Sequence, residues 1–184
     1  HEWRTAMSLR GYGWAGAHPG TRQAYIWGVP TTSPGVLQQV KEHLHHRMDR
    51  RRFYNCFNFG PEEMARCYAE LSRWKPDAII GYTNPTYEFA RFIEASGRAP
   101  LRVRSVLCAA EKVHSAQRDT LERVFAADVY DTYGSREFML IASECSSHRG
   151  LHVSMENLIV EVVDDAGSAV PRGQTGRILV TDLH

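Results

Sequence analysis

The stretch AADVYDTYGSREFMLIA, residues 126–142, sets a run of charged, hydroxyl and glycine residues between two apolar runs. AADVY has the length and composition of a short buried strand ending in DVYD. DTYGSRE then reads as a polar connection leading into FMLIA. What surrounds this stretch decides the fold class. HSAQRDTLERVFAA (114–127) has helical spacing, and VRSVLCAA (103–110) before it reads as a strand. Strand and helix therefore alternate around the polar run.

The alternation continues towards the amino terminus. DAIIGY (77–82) is a short buried strand, and Asn84-Pro85 begins a helix that Gly97 closes. PEEMARCYAELSRW (61–74) has Pro61 at a first helical position, with Glu62 and Glu63 at the positive end of the helix dipole. RQAYIWG (22–28) and RRFYNCF (51–57) read as strands. Residues 35–50 are helical by the spacing of Val36, Val40, Leu44 and Met48, and residues 2–15 form an opening helix marked by Trp3, Met7 and Trp14. After Gly150 the character changes. ENLIVEVVDDAGSAV alternates, turns at Asp165-Ala166-Gly167, and pairs with GRILVTD as an antiparallel partner. The expectation is an α/β fold: a mostly parallel sheet flanked by helices, then a smaller antiparallel β segment. The boundary falls between residues 1–148 and 149–184, with the seam near residues 145–153.

Composition sets outer limits. The 184 residues are 43% hydrophobic and 23% charged, with a net charge of +1, so nothing global calls for nucleic acid or an anionic membrane. No apolar run approaches the roughly 20 residues that span a bilayer, and cytoplasm is the default compartment. Cys56, Cys67, Cys108 and Cys145 form no CxxC pair and read as reduced thiols. The chain opens at His1, without methionine and in an apparent helix, and stops just after a strand. It reads as an internal fragment.

Open α/β sheets bind ligands at the carboxyl ends of their strands. Two segments expected there stand out: Cys108-Ala109-Ala110-Glu111, and the loop of residues 132–137. Small residues let a flat ring approach the backbone, and a glutamate accepts from an amine or holds a cation. Tyr133 offers a stacking face, and Glu137 is a hard oxygen ligand suited to Mg²⁺ beside phosphates. A nucleotide site and a solvated polar turn both remain open on these residues alone.

Five pieces in order, KPDAIIGY, VLCAAEKV, VYDTYGSRE, SEC…GLHV and ENLIVEVVD…G…GRILVTDL, resemble the middle portion of the AMP-forming adenylating enzymes. The likeness is to the phenylacetate–CoA ligase branch and its relatives in capsular polysaccharide biosynthesis, clear over residues 60–184 and weak before. It implies that Ala109, Ala110 and Glu111 lie against an adenine, and that Asp131, Thr132, Tyr133, Gly134 and Ser135 form the second nucleotide segment. Tyr133 would stack on the adenine, and Glu137 would be the catalytic acid that holds the magnesium of ATP. The implied reaction makes an acyl-adenylate from a small carboxylic acid and ATP, then a thioester of coenzyme A. Two alternatives stand beside it: a nucleotide-binding relative without ligase activity, and an adenylating enzyme that passes its acyl group to a sugar or amine. The family's phosphate loop would precede residue 1 and its ribose-binding and lid segments would follow residue 184, so this piece is expected to be inactive alone. TTSPG, residues 31–35, is rejected as that loop: it has one glycine, no lysine and the wrong place in the order.

Departures fall at Arg136, where many relatives have Ser or Thr, and at Lys112, where proline is common. Cys145 and His152 resemble part of a zinc site that some relatives complete with cysteines from a later segment, with His148 as a candidate third ligand; an ordinary thiol is the plainer reading. HLHHRMDRRR (43–52) holds His43 and His46 three apart, which could bridge a metal, but it reads as a solvated basic face. Trp27, Gly28 and Val29 end a strand near the family's acyl pocket. No G-x-S-x-G elbow is present, and no G-x-G-x-x-G follows any strand. The sequence leaves a homodimer open and does not name the carboxylic acid.

Overall fold

The computed structural model describes residues 2–28, 41 and 44–184. TTSPG, Val29, His43 and most of the helix expected over 35–50 lie outside the described residues, although residues 44–48 are helical.

Seven strands form one sheet in the order β2-β1-β3-β4-β5-β6-β7. The first five are parallel: β2 (Arg51–Asn55), β1 (Gln23–Trp27), β3 (Ala78–Tyr82), β4 (Ser105–Ala109) and β5 (Asp128–Ser135). The last two, β6 (Met139–Glu144) and β7 (Leu151–Val153), run antiparallel. A separate two-stranded antiparallel sheet pairs β8 (Leu158–Val163) with β9 (Arg177–Asp182), as the alternation of that segment predicts.

The parallel strands are short apolar runs because both faces are covered. On one face Ile79, Val106, Cys108 and Val129 meet Leu71, Phe89, Ile93, Leu121 and Phe125. Those partners come from α2 (Pro61–Trp74), α3 (Thr83–Ala95) and α4 (Ser115–Phe125). On the other face Ala78, Ile80, Leu107 and Tyr130 pack with Ala15, Ala17 and Tyr12, at the end of α1 (Glu2–Trp14). Alternate side chains of each strand thus enter opposite layers.

Local chemistry sets the helix ends. Pro61 stands in the first turn of α2, with Glu62 and Glu63 beside it. At the other end Lys75 adopts a left-handed conformation, and its N–H donates to the Leu71 carbonyl at 2.8 Å. Gln117 closes the start of α4, its side-chain oxygen accepting from the His114 N–H at 3.1 Å.

One sequence expectation fails in an informative place. DVYD does not end at Asp131. β5 continues through Ser135, so residues 132–135 are strand, and only residues 136–138 turn. The sheet changes character along this one strand. Ser105–Cys108 pair in parallel with Asp128–Asp131, and from Thr132 onward β5 pairs antiparallel with β6.

Candidate functional site

The carboxyl ends of β3, β4 and β5 are adjacent, because Tyr82 pairs with Ala109 and Cys108 with Asp131. This register brings together the two segments singled out in the sequence. Some of their residues build the platform and others stand open on it.

Thr132 is buried, and its hydroxyl donates to the Cys108 carbonyl at 2.8 Å, tying β5 to β4. Asp131 is half-buried. Burial pushes its carboxyl above the usual aspartate range, against the Val113 N–H that donates to it from the β4–α4 connection. Glu111 is committed in the same way. Its carboxylate accepts from the Asn84 N–H at 3.1 Å, in the first turn of α3, where the helix dipole favours a negative charge. Thr83 adds a second tie, its hydroxyl 2.7 Å from the Glu111 carbonyl and 3.3 Å from that of Ala109. Between them Ala110 sits at φ 71°, a left-handed conformation that strains a residue with a Cβ.

The open set comprises Ala110, Tyr133, Gly134, Arg136 and Glu137. Tyr133 keeps 43% of its surface exposed, unusual for an aromatic residue inside a sheet. The strand is irregular between Tyr133 and Gly134. Gly134 is required there, since a Cβ would meet the Met139 carbonyl oxygen at 2.0 Å. Ser135 accepts from the Phe138 N–H at 3.3 Å, and its hydroxyl donates to Glu137, holding that carboxyl below the usual glutamate range. Glu137 is therefore an exposed, fully anionic oxygen donor at neutral pH.

Beneath the platform lies an ion cluster that sequence reasoning missed. Glu144 is buried on β6 and accepts from the Asp131 N–H at 2.8 Å and from Arg118 Nη2 at 2.9 Å. His148 Nδ1 stands 3.3 Å from its other oxygen. Burial pushes this carboxyl up, but the Asp131 N–H and the Arg118 guanidinium outweigh it and leave the group below its ordinary range. Arg118 also donates to the Val129 carbonyl. An acidic residue closing an apolar run gave no local signal of this; the partners come from α4 and β5.

The metal expectations divide. Cys145 Sγ and His152 Nε2 do meet, at 3.1 Å. The Ser147 N–H, and then His152, draw the Cys145 thiol below its usual range. His148, the expected third ligand, instead pairs with Glu144 and lies against the Tyr130 ring. Among the described residues no three His, Cys, Asp or Glu side chains converge on one point.

A wall of aromatic rings borders the platform at the ends of β1 and β3. The Trp27 and Tyr82 rings are 4.6 Å apart, and Phe57, 71% exposed, lies edge-on to Tyr82. Gly28 makes room here: a Cβ would meet the Phe57 ring at 2.6 Å.

No protein-family model and no curated protein matches the sequence. Solved structures do match. The chain superposes on 2-hydroxyisobutyryl-CoA ligase in complex with 2-HIB-AMP and CoA with a TM-score of 0.76 at 20% identity, covering 99% of this chain and 39% of that one. An anthranilate CoA ligase in complex with anthranoyl-AMP gives a TM-score of 0.63 at 16% identity, covering 98% and 35%. A long-chain-fatty-acid-CoA ligase from Archaeoglobus fulgidus gives 0.67 at 12% identity, covering 98% and 38%. The chain spans about two-fifths of the length of these ligases. At such identities the shared property is the fold: the chain has the architecture of one part of the CoA ligases.

Proposed function

We propose that this chain is part of an ATP-dependent, AMP-forming ligase that activates a small carboxylic acid and passes it to a thiol, coenzyme A in the first instance. The observation that carries the reading is the meeting of the β4 and β5 ends, where an exposed Tyr133 and an exposed anionic Glu137 stand over a braced backbone. The structural likeness to ligases solved with acyl-AMP supports it.

Each residue then has a role. The Tyr133 ring stacks on the adenine, and the backbone of Ala109 and Ala110 borders its edge. Asp131, Thr132 and Glu111 brace these segments through the bonds described above. Glu137 fits a magnesium ion of the kind held by one carboxylate, phosphate oxygens and water. Magnesium, when bound, would offset negative charge on the phosphates. The acid's carboxylate oxygen forms a bond to the α-phosphorus as the bond to pyrophosphate breaks. The thiol sulfur then attacks the acyl carbon and AMP leaves. Such catalysis rests on positioning and on charge complementarity.

Within this class, the order KPDAIIGY, VLCAAEKV, VYDTYGSRE favours the phenylacetate–CoA ligase branch, and the YGSRE form is nearer its polysaccharide-associated relatives. Arg136 and Lys112, as departures from the common pattern, support the alternative of a nucleotide-binding protein without ligase activity. The test is ATP–pyrophosphate exchange by the full-length protein over a panel of carboxylic acids. Exchange that depends on an added acid is expected, and none from the 184-residue chain alone. ATP binding without exchange for any acid would favour a nucleotide-binding protein without ligase activity.

A further inference from the structure

A second charged region lies at the β2 edge of the sheet, four strand spacings or roughly 19 Å across the sheet from β5. The basic run of residues 43–52 reads in isolation as a solvated face, but the fold does not leave it isolated. β2 carries Arg51 and Arg52, Arg52 lies over Trp74 at the end of α2, and Arg47 and Arg50 just before β2 line the same groove. The result is a groove of about 590 Å³ whose walls include Arg47, Arg50, Arg51, Arg52, Glu70 and Trp74. That volume is ordinary for a small-molecule site.

Four guanidinium groups line it against the Glu70 carboxylate, with the Asp49 carboxylate beside Arg51. Among the described residues, Arg47 and Arg50 make no ion pair. Arg52 stands 3.6 Å from Glu70 and Arg51 3.6 Å from Asp49, ion pairs too long for hydrogen bonds. Arg51 Nε is buried with no hydrogen-bond partner among the described residues. Arg52 is fixed in place, its guanidinium 4.6 Å over the Trp74 ring. Like charges gathered in this way repel, and an anion with several oxygen acceptors would relieve that repulsion. Guanidinium forks match phosphate oxygens in geometry.

We propose that this groove binds a phosphate-bearing small molecule with at least two negative charges. Arg47 and Arg50 are its first donors, Arg51 turns from its long ion pair with Asp49 to join them, and Arg52, held over the Trp74 ring, adds positive charge to the wall. The site is separate from the Tyr133 platform and does not depend on the role proposed there.

Calorimetric titration with inorganic pyrophosphate, ADP and adenosine tests this, using the full-length protein at low and raised salt. Pyrophosphate and ADP should bind, and adenosine should show no binding at the groove. The double variant Arg47→Ala/Arg50→Ala should weaken pyrophosphate by at least about tenfold, since two charge-assisted bonds are lost. Arg47→Lys/Arg50→Lys should restore part of that loss. A control, Arg91→Ala/Arg98→Ala, removes the same charge elsewhere on the surface. Equal weakening in the control, or an unchanged affinity in Arg47→Ala/Arg50→Ala, would each overturn the proposal.

Discussion

The two halves of β5 are one strand with two different environments. Residues 128–131 pair in parallel with β4, and Val129 and Tyr130 are sealed between layers. Residues 132–135 pair antiparallel with β6, and Tyr133 and Gly134 are exposed. The first half has an apolar core to hold it. The second has one glycine without room for a Cβ, one buried threonine bond and a carboxylate beneath. An exposed strand segment cannot be fixed by burial of its own side chains, so polar contacts fix it from below.

The largest way to break this contrast is at Glu144. Glu144→Ala leaves the half-buried Arg118 and the Asp131 N–H without their acceptor, and should cost about 3 kcal/mol, read by chemical denaturation. The pH dependence follows from the sign of the shift. Glu144 has its carboxyl depressed in the fold, so its contribution is complete above the ordinary glutamate range near pH ~4.3 and is lost as pH falls below it. Glu144→Gln should flatten the acid limb of stability. Asp131, raised by burial, works in the opposite sense, its contribution fading as pH rises through the carboxylate range.

Gly134→Ala attacks the antiparallel half alone. Its Cβ has no room beside the Met139 carbonyl, so β5 and β6 must part locally, at a cost of about 2 kcal/mol. Tyr133→Ala sharpens the comparison in another way. The ring is too exposed to matter greatly to folding, so stability should change by less than about 1 kcal/mol. ATP affinity should nevertheless fall by about tenfold or more, the order of one base stacked on an aromatic ring. The smallest effect is expected at Ala110, where Ala110→Gly relieves the left-handed strain and should stabilise the protein by about 0.5 kcal/mol.

These same positions mark what the sequence could and could not reveal. The α2 helix was legible because Pro61, Glu62 and Glu63 announce its start and Cys67 and Leu71 share its buried face. β3 and β4 were legible as apolar runs too short for helices. The continuation of β5 was not, because Asp131, Gly134 and Ser135 carry the composition of a turn. Only pairing with β6, a tertiary event, makes them strand. The two candidate segments were singled out together, and the register places them side by side, but which of their residues face inward was not legible. Nothing local says that Glu111 faces the α3 terminus while Glu137 faces outward. The basic run was equally opaque, since Trp74 joins it only through the contact of β2 with α2.

The most direct measurement of the central claim is acid-dependent ATP–pyrophosphate exchange by the full-length protein and its Glu137→Gln variant, each checked for an unchanged fold. If Glu137 holds the magnesium of ATP on this platform, the variant should lose exchange by about 100-fold or more. Exchange of equal rate in both proteins would contradict the assignment.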